Sequence, residues 1–258
     1  MKKTLTYCKL QIEEVKMKDF LVDIVNHMLP IAITLVKITG DENSTIVEAI
    51  ADDKSVVIKG TFKTPNPDFT GTFGMPNLPK LNTILNIPEY KENGKIELIK
   101  KDRNGVEIPD SIHFENATGD FKNDYRFMTS EVINEMLKST KFKGVNWNVS
   151  IEPTLASVQR FKFQANANSE ETVFIAKTDG TDLKFYFGDH SSHAGNFVFQ
   201  SDVTGTLSKG WCWPISKFMS ILNLSGNTTV KFSDDGASQI TVDSGLIEYT
   251  YIIPAQSK

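Results

Sequence analysis

The hydrophobic and polar positions along the chain repeat with two periods, and each period predicts a different kind of element. From residue 12 to residue 29, apolar side chains recur every three or four positions, which predicts an amphipathic helix that Pro30 ends. Apolar and polar residues then alternate one by one, which predicts half-buried strands. These alternating runs cover residues 31–38, 45–51, 55–63 and 69–73.

One helical pattern occurs twice. The segment LPKLNTILNI occupies residues 78–87, and ISKFMSILNL occupies residues 215–224, at an offset of 215 − 78 = 137. Lys80 and Lys217 stand at matching positions, and both copies place apolar residues at i, i+3, i+6, i+7 and i+9. Each copy is therefore predicted to form a short helix with one buried stripe.

The flanks of the two copies agree as well. Before the second copy, Thr129 has the character of a helix N-cap, the predicted helix runs to Lys143, and Gly144 ends it. Alternating runs predict the remaining strands of the first half at residues 95–100 and in a stretch that ends near residues 111–114. In the second half they predict strands at residues 145–151, 158–165, 172–177, 183–187, 197–200, 228–232, 239–242 and 246–253. Both halves then follow the order β-α-β-β-β-β-α-β-β-β, which indicates a duplicated domain.

The predicted fold class is therefore α+β, with two helices packed on antiparallel sheets in each half. The stretch 117–126 is rich in Gly, Asn and Asp, and we expect it to connect a first domain, residues 1–116, to a second domain, residues 127–258.

Several of these segments resemble a known family. The segments ISKFMSILNL (215–224), TVKFSDD (229–235) and GLIEYTYIIP (245–254) resemble the C-terminal half of a sliding-clamp domain, and FGMPNLPKLNTILNI (73–87) with GKIELIKK (94–101) resembles the same element of a preceding domain. Two such domains in one chain are similar to the trimeric DNA polymerase processivity factors of tailed phages, archaea and eukaryotes, and most similar to those of tailed phages.

The resemblance implies a non-enzymatic accessory factor of DNA replication. Three copies would close a ring of six domains, with sheets outside and helices around a hole that fits duplex DNA. Its partners would be double-stranded DNA, a DNA polymerase and a clamp loader. The formal net charge of −4 argues against a protein that holds nucleic acid by electrostatic attraction, but a ring is retained by topology and needs little affinity.

Two sets of site residues follow from the resemblance. The expected DNA-facing residues are Lys80, Lys138, Lys141, Lys143, Lys209 and Lys217; the alternative for each is an ordinary solvated lysine. The expected partner-binding pocket is formed by Tyr251, Ile252, Ile253 and Pro254, near the connector. Because strand side chains alternate between two faces, half of this run must point into the core.

Other chemistry is set aside. Asp189-His-Ser-Ser-His193 contains acid, base and nucleophile types, but triad members are seldom adjacent in sequence, so a polar hairpin loop is the better interpretation. Cys8 and Cys212 are too few for a disulfide framework and have no zinc-ligand spacing, and no cofactor or metal site is expected. Trp211 and Trp213 are interpreted as packing residues rather than base-stacking ones.

The chain has no apolar run long enough to span a membrane and no signal-peptide pattern at its N-terminus, so the cytoplasm, of a host cell if the protein is phage-encoded, is the expected location. The alternative function is a β-rich phage structural protein or a carbohydrate-binding module, because antiparallel sheets with polar loops suit those as well.

Overall fold

The computed structural model describes residues 17–91, 93–103, 105–138, 142–188 and 193–256. The helices in these ranges are α1 (Met17–Met28), α2 (Leu78–Leu85), α3 (Ser130–Met136), α4 (Leu155–Ala167) and α5 (Ile215–Leu222), with 3-10 turns at Leu29–Ile31 and Pro88–Tyr90. None of these helices is long and apolar enough to cross a membrane.

The strands of the described residues form three antiparallel sheets. The first-half strands are β1 (Val36–Gly40), β2 (Thr45–Ile50), β3 (Val57–Phe62), β4 (Gly71–Met75), β5 (Lys95–Arg103), β6 (Val106–Glu115) and β7 (Lys122–Arg126). The second-half strands are β8 (Val149–Ile151), β9 (Val173–Asp179), β10 (Asp182–Phe187), β11 (Gly195–Gln200), β12 (Cys212–Pro214), β13 (Asn227–Ser233), β14 (Ala237–Asp243) and β15 (Ile247–Pro254). Their orders are β4-β1-β2-β3-β15-β14-β13-β8, β11-β10-β9-β12 and β5-β6-β7.

The predicted duplication is present in the structure at the predicted offset. The pairs β1 and β9, β2 and β10, and α2 and α5 start at residues related by 173 − 36 = 137, 182 − 45 = 137 and 215 − 78 = 137. The order from β8 to β15 is β-α-β-β-β-β-α-β-β-β, as expected. In the first half, the order from α1 to β7 matches the rest of that series, and the positions that the offset relates to β8, 149 − 137 = 12 to 151 − 137 = 14, lie outside the described residues.

Two helix assignments were wrong. The strand expected at residues 158–165 is part of α4, in which Val158, Phe161 and Ala165 turn inward at helical spacing and the Thr154 hydroxyl accepts a bond from the Ser157 amide at 3.1 Å. Conversely, the helix expected at 129–143 is reduced to the short α3. The repeated helix of the second half, equivalent to α1, is therefore α4 and not the segment after Thr129.

The stretch expected to be a connector also contains a strand. Residues 122–126 form β7, which pairs with β6 from Lys122↔Glu115 to Arg126↔Ser111. After β7 the chain stays with the first half, because Met128 bridges to Gly74 on β4 and α3 packs on the same strand. β7 and α3 therefore both pack with the strands of the first half.

Four helices cover one face of the sheets. α1 packs against α2, α4 against α5, and α5 against the turn at residues 29–31, so these helices form one continuous layer, called the helix layer below. Tyr249 and Tyr251 of β15 are fully buried on this face, where the Tyr251 hydroxyl donates to the backbone oxygen of His27 at 3.2 Å.

An aromatic core holds the second half together. Phe161 of α4 packs against Phe174, whose ring lies 5.0 Å away, and against Phe185 and Phe187 of β10. Trp213 is fully buried beside Phe232, and the Trp211 indole nitrogen donates to the backbone oxygen of Asp234 at 2.8 Å. The interpretation of the tryptophans as packing residues is confirmed.

Candidate partner groove and helix layer

The face of the eight-stranded sheet opposite the helix layer carries a groove of about 780 Å³, called the outer groove. Its apolar lining comes from half-buried side chains of three strands: Ile46, Ile50, Val57 and Ile252. Asn134 and Leu137, on and just after α3, and the exposed Phe142 form one wall. A groove with an apolar lining and a few polar groups can receive an extended or helical peptide segment.

One ion pair lies on the floor of the outer groove. Lys37 and Glu48 stand directly opposite each other on β1 and β2, and the Lys37 Nζ lies 3.2 Å from the Glu48 Oε2. The Lys37 side chain is only 7% exposed, so its charge is held by partners in the protein rather than by bulk water. The pair places fixed polar groups in the apolar groove, where a bound peptide segment can contact them.

The wall of the outer groove depends on one glycine. Gly74 of β4 stands opposite Lys37 of β1, on the groove side of the sheet, and a Cβ there would lie 2.9 Å from the Ile133 Cδ1. Ile133 is fully buried and anchors α3 on the sheet. The absence of a side chain at Gly74 is thus what lets α3 sit close enough to form the wall.

The predicted partner pocket is divided between the two faces of β15. Ile252 lines the outer groove, as does its neighbour Thr250. Tyr251 and Ile253, which were expected as partner contacts, are fully buried on the opposite face because strand side chains alternate, and neither lines the groove. Pro254 is exposed at the end of the strand and is not among the residues that line the groove.

Two of the six predicted DNA-facing lysines lie on the helix layer. Lys80 on α2 is exposed. Lys217 on α5 is 19% exposed; its Nζ lies 3.4 Å from the Ile31 backbone oxygen and 3.6 Å from the Asp53 Oδ2. Bonds from Ser55 hold the pKa of Asp53 below its usual value, with a smaller contribution from Lys217. Lys217 therefore also joins the two halves.

The other predicted lysines lie elsewhere. Lys138 follows Leu137 and Lys143 follows Phe142, and both of these neighbours line the outer groove, so the two lysines are not part of the helix layer. Lys209 precedes β12 and donates its backbone amide to the Asp234 Oδ1 at 2.9 Å, next to the β13–β14 turn. Lys141 lies outside the described residues.

Sequence reasoning missed the most basic helix of the helix layer. α4 contains Arg160 and Lys162 and no acidic residue, and both side chains are exposed. The Arg160 guanidinium lies over the Phe197 ring of β11 at 5.4 Å. The signal was present in the Thr154 cap and in the spacing of Val158, Phe161 and Ala165, but the local alternation also fitted a strand.

The junction between the two halves lies along α1 and is called the intrachain seam. The Asp23 Oδ2 accepts hydrogen bonds from the Ser244 Oγ and the Tyr249 hydroxyl, both at 2.9 Å. The His27 Nε2 lies 3.0 Å from the Ser225 backbone oxygen, and its ring stacks on Tyr249 at 4.4 Å. Strands β3 and β15 pair along the same seam and make the eight-stranded sheet continuous.

The described histidines have structural surroundings. His27 is buried in the intrachain seam, and His113 of β6 lies between Asp124 at 2.8 Å and Glu115 at 3.3 Å. His193 is described, whereas Asp189 to Ser192 lie outside the described residues. Among the described residues, no group of three or more His, Cys, Asp or Glu side chains is placed to hold a metal ion.

Comparison with solved structures identifies the fold. A structure of the C-terminal region of FEN-1 bound to A. fulgidus PCNA matches with a TM-score of 0.68 and 11% identity, over 93% of this chain and 96% of that one. PCNA from Thermococcus kodakaraensis matches with a TM-score of 0.63 and 10% identity, over 93% and 95%. No family model matches the sequence, and no curated protein matches it. The chain has the α+β fold of these sliding clamps.

Proposed function

We propose that this protein is a sliding clamp, a ring that encircles duplex DNA and tethers a replicative DNA polymerase. The observation that carries the proposal concerns two of the strands that end a sheet. Among the described residues, β7 has no strand on its outer edge, and neither does β11. Open edges of this kind favour pairing with another chain.

The internal repeat indicates how the open edges are used. β3 and β11 are equivalent, as each is the third of its series of four strands, and β7 and β15 are equivalent as the last strand of each half. Inside the chain β3 pairs with β15. By the same geometry, β11 of one copy pairs with β7 of the next, and the interface is head-to-tail, which closes into a ring when the rotation fits.

Three copies, each with two similar halves, give six similar units around the ring, as the family resemblance implies. The helix layer then faces the hole. Lys80, Lys162 and Lys217 are the lysines we place toward DNA, where they contact phosphates without reading bases. We also propose that the boundary between the two domains lies between α3 and β8. The proposed location of the protein is the cytoplasm.

The outer groove is the proposed site for peptide segments of the polymerase and the clamp loader. It lies on the face opposite the helix layer, so a partner bound there does not compete with DNA. Deleting residues 251–258 would also remove the buried side chains of Tyr251 and Ile253 and so disturb the core. The single substitution Ile252→Arg is therefore the better test of partner binding in the outer groove. We expect this variant to lower processive synthesis by a polymerase that uses the clamp, with no change in ring mass.

The first experiment on the proposed function is retention on DNA. The protein is incubated with a nicked circular plasmid, bound protein is separated by gel filtration, and half of the sample is linearised. A clamp stays on the circle and leaves the linear form through its ends. Equal retention on both forms contradicts the proposal and favours a structural or carbohydrate-binding protein.

A further inference from the structure

The intrachain seam is a template for a contact between copies. Asp23 and His27 of α1 bond to the second half, and the offset maps them to 23 + 137 = 160 and 27 + 137 = 164, which are Arg160 and Gln164 on α4. Ile24 maps to Phe161, and both are fully buried, so the two helices face their sheets in the same way. The flank of α4 with Arg160 therefore corresponds to the covered flank of α1.

The template also specifies what covers this flank. Asp23 accepts a hydrogen bond from Ser244, which lies in the turn between β14 and β15. The equivalent turn in the first half joins β6 to β7. His27 is met by Ser225, and 225 − 137 = 88 gives Pro88 after α2. Both equivalents lie on the first half, which in a head-to-tail assembly belongs to the next copy.

These two places form one corner of the first half. The Asn116 Nδ2 donates to the Glu89 Oε2 at 3.2 Å and to the Asp120 Oδ1 at 2.9 Å, so both carboxylates are held beside the β6–β7 turn. Phe121 in the same turn is 42% exposed. We call Glu89, Asp120 and Phe121 the acidic corner.

The chemistry of α4 complements the acidic corner. Arg160 is fixed over Phe197 beside the open edge of β11, and α4 has no acidic residue to neutralise it. Phe163 is 67% exposed, which is unusual for a phenylalanine on a helix of the main layer. One surface thus offers an exposed cation and an exposed aromatic ring, and the other offers two carboxylates and an exposed aromatic ring.

The two seams differ in the residue at one matched position. Phe163 corresponds to Asn26, because 163 − 26 = 137, and Asn26 is polar and stays exposed at the rim of the formed intrachain seam. The halves joined at the intrachain seam are covalently linked, so that contact needs little intrinsic affinity, whereas separate copies must overcome the entropy of association. An aromatic anchor at this rim position is therefore expected only at the contact between copies.

We propose that Arg160 and Phe163 on α4 form the docking surface for the acidic corner of a second copy, with Arg160 facing Glu89 and Asp120 and Phe163 packing beside Phe121. The inference rests on the proposed ring and adds to it the side chains that set the strength and direction of closure. It also separates the two basic residues of α4, since Arg160 serves the copy contact while Lys162 faces the hole.

A charge-swap cycle tests the pairing. Mass is measured by light scattering over a dilution series for the wild type, Arg160→Glu, Glu89→Lys and the double variant. We expect each single variant to raise the dissociation constant of the assembly about tenfold or more, because like charges then face each other. The double variant restores pairing in every seam and should recover most of the wild-type value. Phe163→Ala should weaken assembly about tenfold or more, because it removes the aromatic anchor.

Matched controls come from the same helix. Lys162→Glu and the exposed Leu155→Ala lie on the other flank of α4 and should leave the dissociation constant within about twofold of the wild type. Thermal unfolding of each variant at a concentration below assembly shows whether the single copy still folds. If wild-type rings form but Arg160→Glu and Phe163→Ala assemble normally, or the swap gives no recovery, the docking inference is wrong and the clamp stands. If the wild type forms no ring at any concentration, the proposed function itself is wrong.

Discussion

Asp23 shows how one half-buried carboxylate can join two halves of a chain. It accepts bonds from Ser244 and Tyr249, which come from the far end of the sequence, and it lies four residues before His27 on α1. Burial raises the pKa of Tyr249 well above its usual value, and the negative charge of Asp23 adds to that shift. The tyrosine therefore stays a hydrogen-bond donor at any physiological pH.

We expect Tyr249→Phe to lower the free energy of unfolding by about 1–3 kcal/mol, because the substitution removes a hydrogen bond to a carboxylate while the ring still fills its site. Urea denaturation measures the difference. Tyr186→Phe, at a half-buried position on β10, is the control and should change stability by less than about 0.5 kcal/mol. Equal effects of the two substitutions would mean that the bond to Asp23 contributes nothing.

His113 gives the first half a pH-dependent contact. Its hydrogen bond to Asp124, with a smaller contribution from Glu115, raises the pKa of His113. A raised pKa means that the folded state holds the proton more tightly than the unfolded chain, so the stabilisation is complete below the unfolded value of about 6.5 and disappears as the pH rises through the folded value.

The stability difference between the wild type and His113→Gln should therefore be largest near pH 5.5 and should shrink toward pH 8.5. Its size should stay below about 1 kcal/mol, because the imidazole is partly exposed to water. Denaturation curves across this range measure it. A difference that grows with pH would contradict the assigned ion pairs.

At the scale of elements, α3 and α4 are the instructive cases. α4 had two competing local patterns, and its Thr154 cap and the burial of Phe161 decide for the helix. α3 was expected as a helix, but no local signal specifies which face of a sheet a helix covers. The contact of Ile133 with Gly74 places it beside the outer groove.

Gly74→Ala should displace α3, because the new Cβ would lie 2.9 Å from the Ile133 Cδ1. Overpacking of this kind costs about 1–3 kcal/mol. Hydrogen exchange should show faster exchange of the amides in residues 130–137 than in the wild type. Gly74→Ala combined with Ile133→Ala is the matched control, and a double variant no better protected than the single one would show that the clash is not the cause.

At the scale of the whole molecule, the overall charge is negative while one helix of the helix layer is basic. The chain has a formal net charge of −4, while α4 of the helix layer is purely basic. A ring that is retained by topology needs only weak phosphate contacts, and stronger ones would hinder sliding.

The double variant Lys80→Ala, Lys162→Ala should therefore bind short linear duplexes more weakly than the wild type. The slope of log affinity against log salt concentration should become shallower by about one for each phosphate that the variant no longer neutralises. The same variant should remain on circular DNA once it is closed around it. Titrations at several salt concentrations and the plasmid assay measure the two effects. Lys138→Ala with Lys143→Ala, on the groove side, is the control and should change neither.

The sequence by itself determined the duplication, the helices α2 and α5, most strands and the α+β class, because these depend on periods that neighbouring residues set. It also determined that only half of the run 251–254 could face outward. Only the tertiary structure decided which half: Ile252 points to the outer groove, while Tyr251 and Ile253 point to the helix layer. It likewise decided the side of α3, the helix at α4 and the open edges of β7 and β11. The physical reason is that local periodicity fixes the kind of element and its apolar face, whereas the partner of that face is chosen by contacts between residues far apart in the chain.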